Sequence, residues 1–188
     1  DSGITADISR MTISTLHAFG YSVISDNYKA LGYTKKPILV NDIQKTAIIS
    51  KILKEEEEIE ELEPMYRNFY LDMYSAKGIL PFMTEVFTLI KERDIKDEDV
   101  LREAFKDLSD KTVHRFFELF CKYEEYMKEQ NLIEYSDQER LVLKLNELVP
   151  GILSKYHLKR ICIDEYQDTS RRQFESYALL RKCPCTES

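Results

Sequence analysis

The sequence contains no tryptophan and only five glycines in 188 residues. Those glycines, Gly3, Gly20, Gly32, Gly78 and Gly151, are never closer than twelve positions. Neither G-x-x-x-x-G-K-[ST] nor G-x-G-x-x-G can be written anywhere, which excludes a glycine-loop phosphate cradle from this chain. Long apolar runs are also absent. Nothing approaches the roughly 18 to 20 residues needed to cross a bilayer, and no charged segment, apolar stretch and cleavage site follow one another at the N-terminus. Neither membrane insertion nor secretion is expected. The four cysteines, Cys121, Cys162, Cys183 and Cys185, are too sparse for a disulfide scaffold. Cys121 and Cys162 sit inside apolar patterns, which predicts buried thiols and a reducing compartment, the cytoplasm. Cys183-Pro-Cys185 lacks the second close Cys or His pair that a zinc site requires. Positive charge is scarce too: 27 basic against 34 acidic residues leave a net charge of −7. That balance argues against nucleic-acid binding by bulk charge and leaves room only for a local groove.

What is present is a core. Hydrophobic residues make up 43% of the chain, enough to fill one domain or somewhat more. From Asp42 to Glu147 the pattern is helical almost throughout. Asn41 with Gln44 three residues on is a helix-start signature, and Ile43, Ala47, Ile48 and Ile52 follow at helical spacing. Pro81 opens a second helix, with Met83, Val86, Phe87 and Ile90 on one face. Val100, Leu101, Ala104, Phe105 and Leu108 repeat the design. Val113, Phe116, Phe117, Phe120, Tyr123 and Met127 form the longest stripe, and Leu141, Leu145 and Leu148 mark the helix after it. Aromatic stripes at this spacing are core far more often than cofactor boxes, so the middle is expected to be a packed helical bundle. The run Glu55 to Glu63 holds seven glutamates and reads as the solvated end of a helix with a loop.

The ends differ from the middle. Met11 to Ser14 is short and β-branched and leads through Thr15 into a helical stretch with Phe19 and Val23. Arg160 to Ile163 is an apolar strand candidate, closed by Asp164 and Glu165 and followed by a helix start at Ser170 with Gln173. An apolar strand ending in acids is how a parallel α/β sheet presents residues at its carboxyl edge. A helical block between two strand-to-helix units is the pattern of an insertion in an α/β domain. The chemistry is concentrated in Asp164-Glu165-Tyr166-Gln167-Asp168-Thr169. A carboxylate at the strand end, Asp164, can hold a hydrated Mg²⁺, since that ion takes oxygen ligands and keeps several waters. Glu165 can orient or deprotonate a water for attack on a phosphoryl group, and Gln167 is a neutral donor and acceptor. Alone, Asp-Glu after an apolar run reads rather as a strand exit to solvent.

The longer string I-C-I-D-E-Y-Q-D-T-S-R-R-Q resembles the Walker B segment of UvrD/Rep/PcrA-like superfamily 1 DNA helicases, D-E-x-Q-D-T with a glutamine four residues later. Gln173 stands at that place, and Tyr166 stands where the family usually has phenylalanine. Thr15-Leu16-His17-Ala18-Phe19 is similar to the family's T-[FI]-H-[SG]-[FL]. Asn131-Leu132-Ile133-Glu134-Tyr135-Ser136-Asp137 is similar to its N-x-L-D-F-x-D, with Glu134 replacing aspartate.

The resemblance spans Thr12 to Leu180 and implies a mainly α chain with a small β component, a helical bundle inserted in an incomplete RecA-like α/β P-loop NTPase lobe. Residues 1–40 would be a strand-to-helix segment of that lobe, 41–150 the helical insertion, and 151–188 the Walker B strand and following helix. It also implies ATP and Mg²⁺ as cofactors, with Asp164 holding Mg²⁺ through water, Glu165 the catalytic base and Gln167 coupling nucleotide state to neighbouring motifs. Thr15, His17 and Phe19 match a motif near the single-stranded DNA path; strand-to-helix packing, with His17 as a capping or core histidine, is the other reading of the same residues. Single-stranded and forked DNA are the expected partners, with protein partners through the insertion. The implied activity is that of an ATP-dependent 3′→5′ helicase acting in repair or recombination. The chain lacks the family's Walker A loop and second lobe, so it reads as a piece of a larger enzyme that should not hydrolyse ATP alone. A different class of function, a non-catalytic acidic helical interaction module, fits the same composition.

Overall fold

A computed structural model describes residues 12–55, 78–106, 108–158, 161–164, 166–169 and 171–181. Seven α-helices run through them in chain order: α1 (Leu16–Asp26), α2 (Asp42–Glu55), α3 (Ile79–Glu92), α4 (Glu98–Ala104), α5 (Asp110–Glu129), α6 (Asp137–Leu148) and α7 (Arg171–Arg181). Two short strands, β1 (Ile38–Leu39) and β2 (Leu132–Ile133), pair in parallel, Ile38 opposite Leu132 and Leu39 opposite Ile133. Single 3₁₀ turns occupy Ile152–Tyr156 and Tyr166–Asp168. The described chain is thus mainly helical with a small β component, as expected. It divides into two compact units, residues 32–137 and residues 1–31 with 138–188.

In the unit formed by residues 32–137, α2 starts on the capping box read from the sequence. The Asn41 amide donates to Gln44 Oε1 at 3.0 Å and the Gln44 amide to Asn41 Oδ1 at 2.9 Å, so two orphan donors are satisfied reciprocally. The helix turns a different face inward from the one expected. Ile49, Ile52 and Leu53 are buried beside Lys45 and Ile48 packs partly buried against the core, whereas Ile43 is 82% exposed and Ala47 is exposed as well. Helix α3 begins two residues before Pro81, which falls within the first turn, where a missing N–H costs no helical bond. Helix α4 ends at Ala104, so Phe105 and Leu108 lie beyond it, half-buried against the core.

The long α5 buries Val113, Phe116, Leu119, Phe120, Tyr123 and Met127 along one stripe. It is packed by α2 and α3, with Phe87 edge-on to Phe120 at 5.5 Å and tilted against Tyr123 at 5.3 Å between ring centroids. These rings are core, as their spacing implied. Cys121 is the exception: it is exposed, because it falls one position past Phe120 and some 100° round the helix from the apolar stripe. Of the Glu55 to Glu63 run, Glu55 closes α2 and the rest lies outside the described residues.

Between α5 and β2 the chain reverses on Asn131, which adopts φ +54°, a left-handed conformation that asparagine tolerates. Its Oδ1 accepts from the amides of Thr34 (2.9 Å) and Lys35 (2.8 Å), and its carbonyl accepts from the Ile38 amide at 2.8 Å. That side chain delivers the segment before β1 to its partner strand.

In the other unit, α1 is capped by Thr15, and α6 buries Leu141, Val142 and Leu145 while Leu148 is 54% exposed at its end. Among the described residues the two expected end strands do not appear: Thr12–Ser14 and Ile161–Ile163 carry no ladder there, and Met11 and Arg160 lie outside the described residues. A strand is defined by its hydrogen-bonded neighbour, and periodicity alone cannot supply one. Cys162 is accordingly exposed rather than packed in a sheet.

Candidate functional site

The residues of the T-x-H-x-F and D-E-x-Q-D-T motifs fall in the unit made of residues 1–31 and 138–188. Thr15 has extended backbone, φ −71° and ψ 157°, and its Oγ1 accepts from the Ala18 amide at 3.1 Å. The hydroxyl therefore caps α1, and the residue stays exposed. Four positions on, Phe19 meets Tyr156 edge to face, with centroids 5.5 Å apart. Tyr156 is itself fixed: its hydroxyl donates to Asp26 Oδ2 at 3.2 Å and accepts from Asn27 Nδ2 at 3.3 Å. Burial and the Asp26 carboxylate push the pKa of that hydroxyl up to about 12. His17 lies on the same helix, half-buried, with Nε2 3.7 Å from Glu139 Oε1.

Asp164 is exposed at the end of the Ile161–Ile163 segment. It borders an open cavity of about 400 Å³ whose wall also carries Ser14, Thr15, Phe19 and Ile163. Two sequence motifs some 145 positions apart thus meet at one cavity. His17 does not line it; it lines a void of about 10 Å³ together with Gln138 and Ser176. Gln167 is exposed in the 3₁₀ turn Tyr166–Asp168, away from the cavity wall. Glu165 and Ser170 lie outside the described residues.

The oxygen donors on this cavity wall, the Asp164 carboxylate with the hydroxyls of Thr12, Ser14 and the α1-capping Thr15, are few, so a magnesium ion held there would keep most of its waters and take its remaining ligands from phosphate. Among the described residues no group of three or more His, Cys, Asp or Glu converges on a point, so a fully protein-ligated metal is not built there. No glycine-type phosphate loop accompanies these residues in the chain.

The third motif, Asn131 to Asp137, belongs to the helical unit and is the centre of its buried charge. Glu134 Oε2 is 2.7 Å from Lys45 Nζ, and its Oε1 is 2.5 Å from Lys91 Nζ and accepts from the Tyr123 hydroxyl at 2.8 Å. Lys91 Nζ also lies 2.8 Å from Glu124 and 3.0 Å from Asp137. Burial alone would push Lys91 toward neutrality, but the three carboxylates outweigh it and its pKa is raised. Burial likewise pushes Glu134 up, and the Lys91 and Lys45 ammoniums more than reverse this, leaving its carboxyl below the ordinary value. Burial first, then the Glu134 charge, raises the Tyr123 hydroxyl. One residue of the motif points the other way: Tyr135 is 57% exposed at the rim of a cavity of about 200 Å³ that Lys45, Thr88 and Glu134 also line. Hydropathy pattern does not pick out Lys45 or Lys91; Tyr135 stands inside the N-x-L-D-F-x-D match, with no role attached to it there.

The sequence model of the UvrD/REP helicase N-terminal domain matches residues 2–184. The chain belongs to that family. Among its relatives, the ATP-dependent DNA helicase Rep of Buchnera aphidicola is 24% identical over 179 residues, 93% of this chain and 24% of that protein. An ATP-dependent helicase/nuclease subunit of Natranaerobius thermophilus is 28% identical over 102 residues, 53% of this chain and 8% of that protein. The chain therefore spans about a quarter, or less, of the relatives it matches. No described helix of this UvrD/REP family member is long and apolar enough to cross a membrane.

Proposed function

We propose that this chain is part of an ATP-dependent 3′→5′ DNA helicase that translocates on single-stranded DNA and unwinds duplex. The observation that carries the reading is the shared cavity: Asp164, from the D-E-x-Q-D-T motif, and Thr15 and Phe19, from the T-x-H-x-F motif, border the same space. A site that couples nucleotide to DNA needs these two motifs adjacent. The division of the chain supports a helical insertion within a RecA-like lobe, since residues 32–137 form one unit between two segments that fold together.

In this reading Asp164 holds Mg²⁺ through water, Glu165 takes the proton from the attacking water, and Gln167 links the nucleotide end to neighbouring motifs. Bound ATP and Mg²⁺ supply the phosphoryl group and its charge neutralisation. Thr15, His17 and Phe19 face the DNA side, and forked DNA is the expected substrate, with protein partners reached through the helical unit. With no glycine loop of its own, the chain does not hydrolyse ATP by itself, and the complete enzyme works in the cytoplasm.

Glu165→Gln in the complete enzyme tests the core of this reading. ATP hydrolysis is expected to fall by at least about a hundredfold while nucleotide binding stays within about twofold, as removal of a general base predicts. Undiminished turnover would overturn the assignment of the base. For the chain itself, salt-sensitive anisotropy changes with labelled single-stranded or forked DNA are expected; no binding at low salt would leave the acidic interaction module as the better account.

A further inference from the structure

Phe19, Val23, Asp26 and Asn27 recur at i, i+4, i+7 and i+8, so they share one face of α1 and its C-terminal cap. Three of them meet one side chain, Tyr156. Its ring stands edge to face against Phe19, 69° between planes, while its hydroxyl donates to Asp26 Oδ2 at 3.2 Å and accepts from Asn27 Nδ2 at 3.3 Å. Asn27 is held in turn: its Nδ2 also donates to the Val23 carbonyl at 2.6 Å, and its Oδ1 accepts from Lys155 Nζ at 2.7 Å. The cavity that Asp164 borders is lined by Phe19 and not by Tyr156. One residue past Tyr156 the chain reverses on His157, φ +49°, and Leu158 returns to the cavity wall, where residues 161–164 also lie. The contacts of Tyr156 therefore join α1, which brings Thr15 and Phe19, to the segment that brings Asp164. Because they reach from Phe19 to Asp26, about 10 Å along the helix axis, they fix the height of that segment on α1 as well as its distance.

We propose that Tyr156 is a positioning residue for Phe19: clamped to Asp26 and Asn27, it holds the Phe19 ring at the cavity wall and keeps α1 in register with the segment that ends in Asp164. The proposal rests on the helicase reading given above, in which that cavity couples DNA to nucleotide. Phe19 is half-buried, with Tyr156 against it and open space beyond, so a ring without this backing is free to turn into the cavity. A wall set in place beforehand removes an ordering cost that each binding event would otherwise incur. Both hydroxyl bonds persist at any working pH, because burial and the Asp26 carboxylate push the Tyr156 pKa up to about 12.

Two variants cut the clamp without altering a residue of the cavity wall. Tyr156→Phe keeps the ring and removes both hydroxyl bonds, and Asp26→Ala removes one acceptor from an exposed position. Asp26→Asn keeps a carbonyl oxygen for the hydroxyl and serves as the conservative rescue. In the chain itself, phenylalanine is replaced by 4-fluorophenylalanine, and the Phe19 fluorine resonance is assigned by its loss in Phe19→Leu. That resonance is expected to shift and broaden in Tyr156→Phe and Asp26→Ala, and to stay near its original place in Asp26→Asn. In the complete enzyme, the oligo(dT) concentration giving half-maximal ATP hydrolysis is expected to rise about two- to tenfold in the first two variants, the range set by a hydrogen bond of modest net worth, with KM for ATP within about twofold. A purely structural loss lowers the active fraction and moves neither half-saturation value. Circular dichroism identifies the folded variants. An unmoved fluorine resonance in folded Tyr156→Phe and Asp26→Ala would overturn the positioning role. A moved resonance with unchanged oligo(dT) dependence would overturn its part in coupling DNA to the site. If the complete enzyme hydrolyses ATP with no response to oligo(dT), the helicase reading itself falls, and the fluorine resonance alone decides whether Tyr156 positions Phe19.

Discussion

The two compact units differ in how fully they match their buried polar groups. In residues 32–137 the buried Lys45, Lys91, Glu134, Asp137, Asn131 and Thr112 all carry hydrogen bonds or ion pairs, drawn from several elements. In the unit of residues 1–31 and 138–188, Ser25 Oγ, Ser176 Oγ and both side-chain polar atoms of Gln138 are buried with no hydrogen-bond partner among the described residues. The first unit is self-sufficient; its charges are costly to bury and are offset only by good geometry. The second holds the residues of the T-x-H-x-F and D-E-x-Q-D-T motifs, of which Thr15, Asp164, Tyr166 and Gln167 are exposed, on a frame whose polar groups are incompletely matched. A domain that must respond to a ligand is drawn from the less locked end of such a scale, whereas a helical unit that presents a surface gains from being rigid.

Breaking the locked unit should show the contrast at its largest. Lys91→Met removes the ammonium that Glu124, Glu134 and Asp137 share, and leaves two acids buried without it. A loss of about 3–5 kcal/mol in urea or thermal unfolding is expected, the range for one member of a buried ion pair. Lys51→Met removes an exposed lysine whose Nζ lies 3.9 Å from Glu55, and should cost under about 0.5 kcal/mol. Similar losses for the two variants would mean that the buried network is energetically ordinary.

Acid sharpens the same comparison. The Glu134 carboxyl lies below its ordinary value of 4.5, so its contribution is fully present above that pH and is lost as pH falls through the lowered folded value. Lys91 is shifted the other way: its contribution is present below the ordinary lysine value of 10.5 and is lost only as pH rises through the raised folded value. Stability from the network is therefore flat from mildly acidic to mildly alkaline pH and falls below about pH 4.5. In Glu134→Gln the slope of stability against pH below 4.5 should decrease. An unchanged slope would assign the acid limb to other carboxylates.

The contrast also explains what could be read from residues alone. Asn41 with Gln44, the α5 stripe and the Thr15 helix start were legible because each is a local pattern fixed within a few turns of helix. Lys45 and Lys91 were not, since a hydropathy pattern places lysine at the surface and their burial is justified by Glu124, Glu134 and Asp137, dozens of positions away. The same dependence turned α2, bringing Lys45 in and leaving Ile43 out. The β1–β2 pair was illegible for a related reason: two-residue strands carry almost no period, and their partners are 94 positions apart. At the site, the residue types in the D-E-Y-Q-D-T string were visible, yet the cavity that joins Asp164 to Thr15 exists only in the folded chain.

An effect smaller than that of Lys91→Met, and of opposite sign, is expected in the less matched unit. Gln138 is 1% exposed, and neither its Oε1 nor its Nε2 has a hydrogen-bond partner among the described residues. A buried amide in that state costs about 1–3 kcal/mol, while an apolar side chain of similar volume carries no such penalty. Its surroundings favour the exchange, because Val142 and Gly20 sit beside it around the small void. Gln138→Leu is therefore expected to stabilise this unit by about 1 kcal/mol, a rise of about 2–4 °C in melting temperature for a chain of this size. Should the variant instead melt lower, the amide has a partner in solution, and an ordered water bridging Gln138 and Ser176 in that void of about 10 Å³ is the natural one. Lys91→Met and Gln138→Leu moving the two units in opposite directions would establish that their difference is energetic as well as geometric.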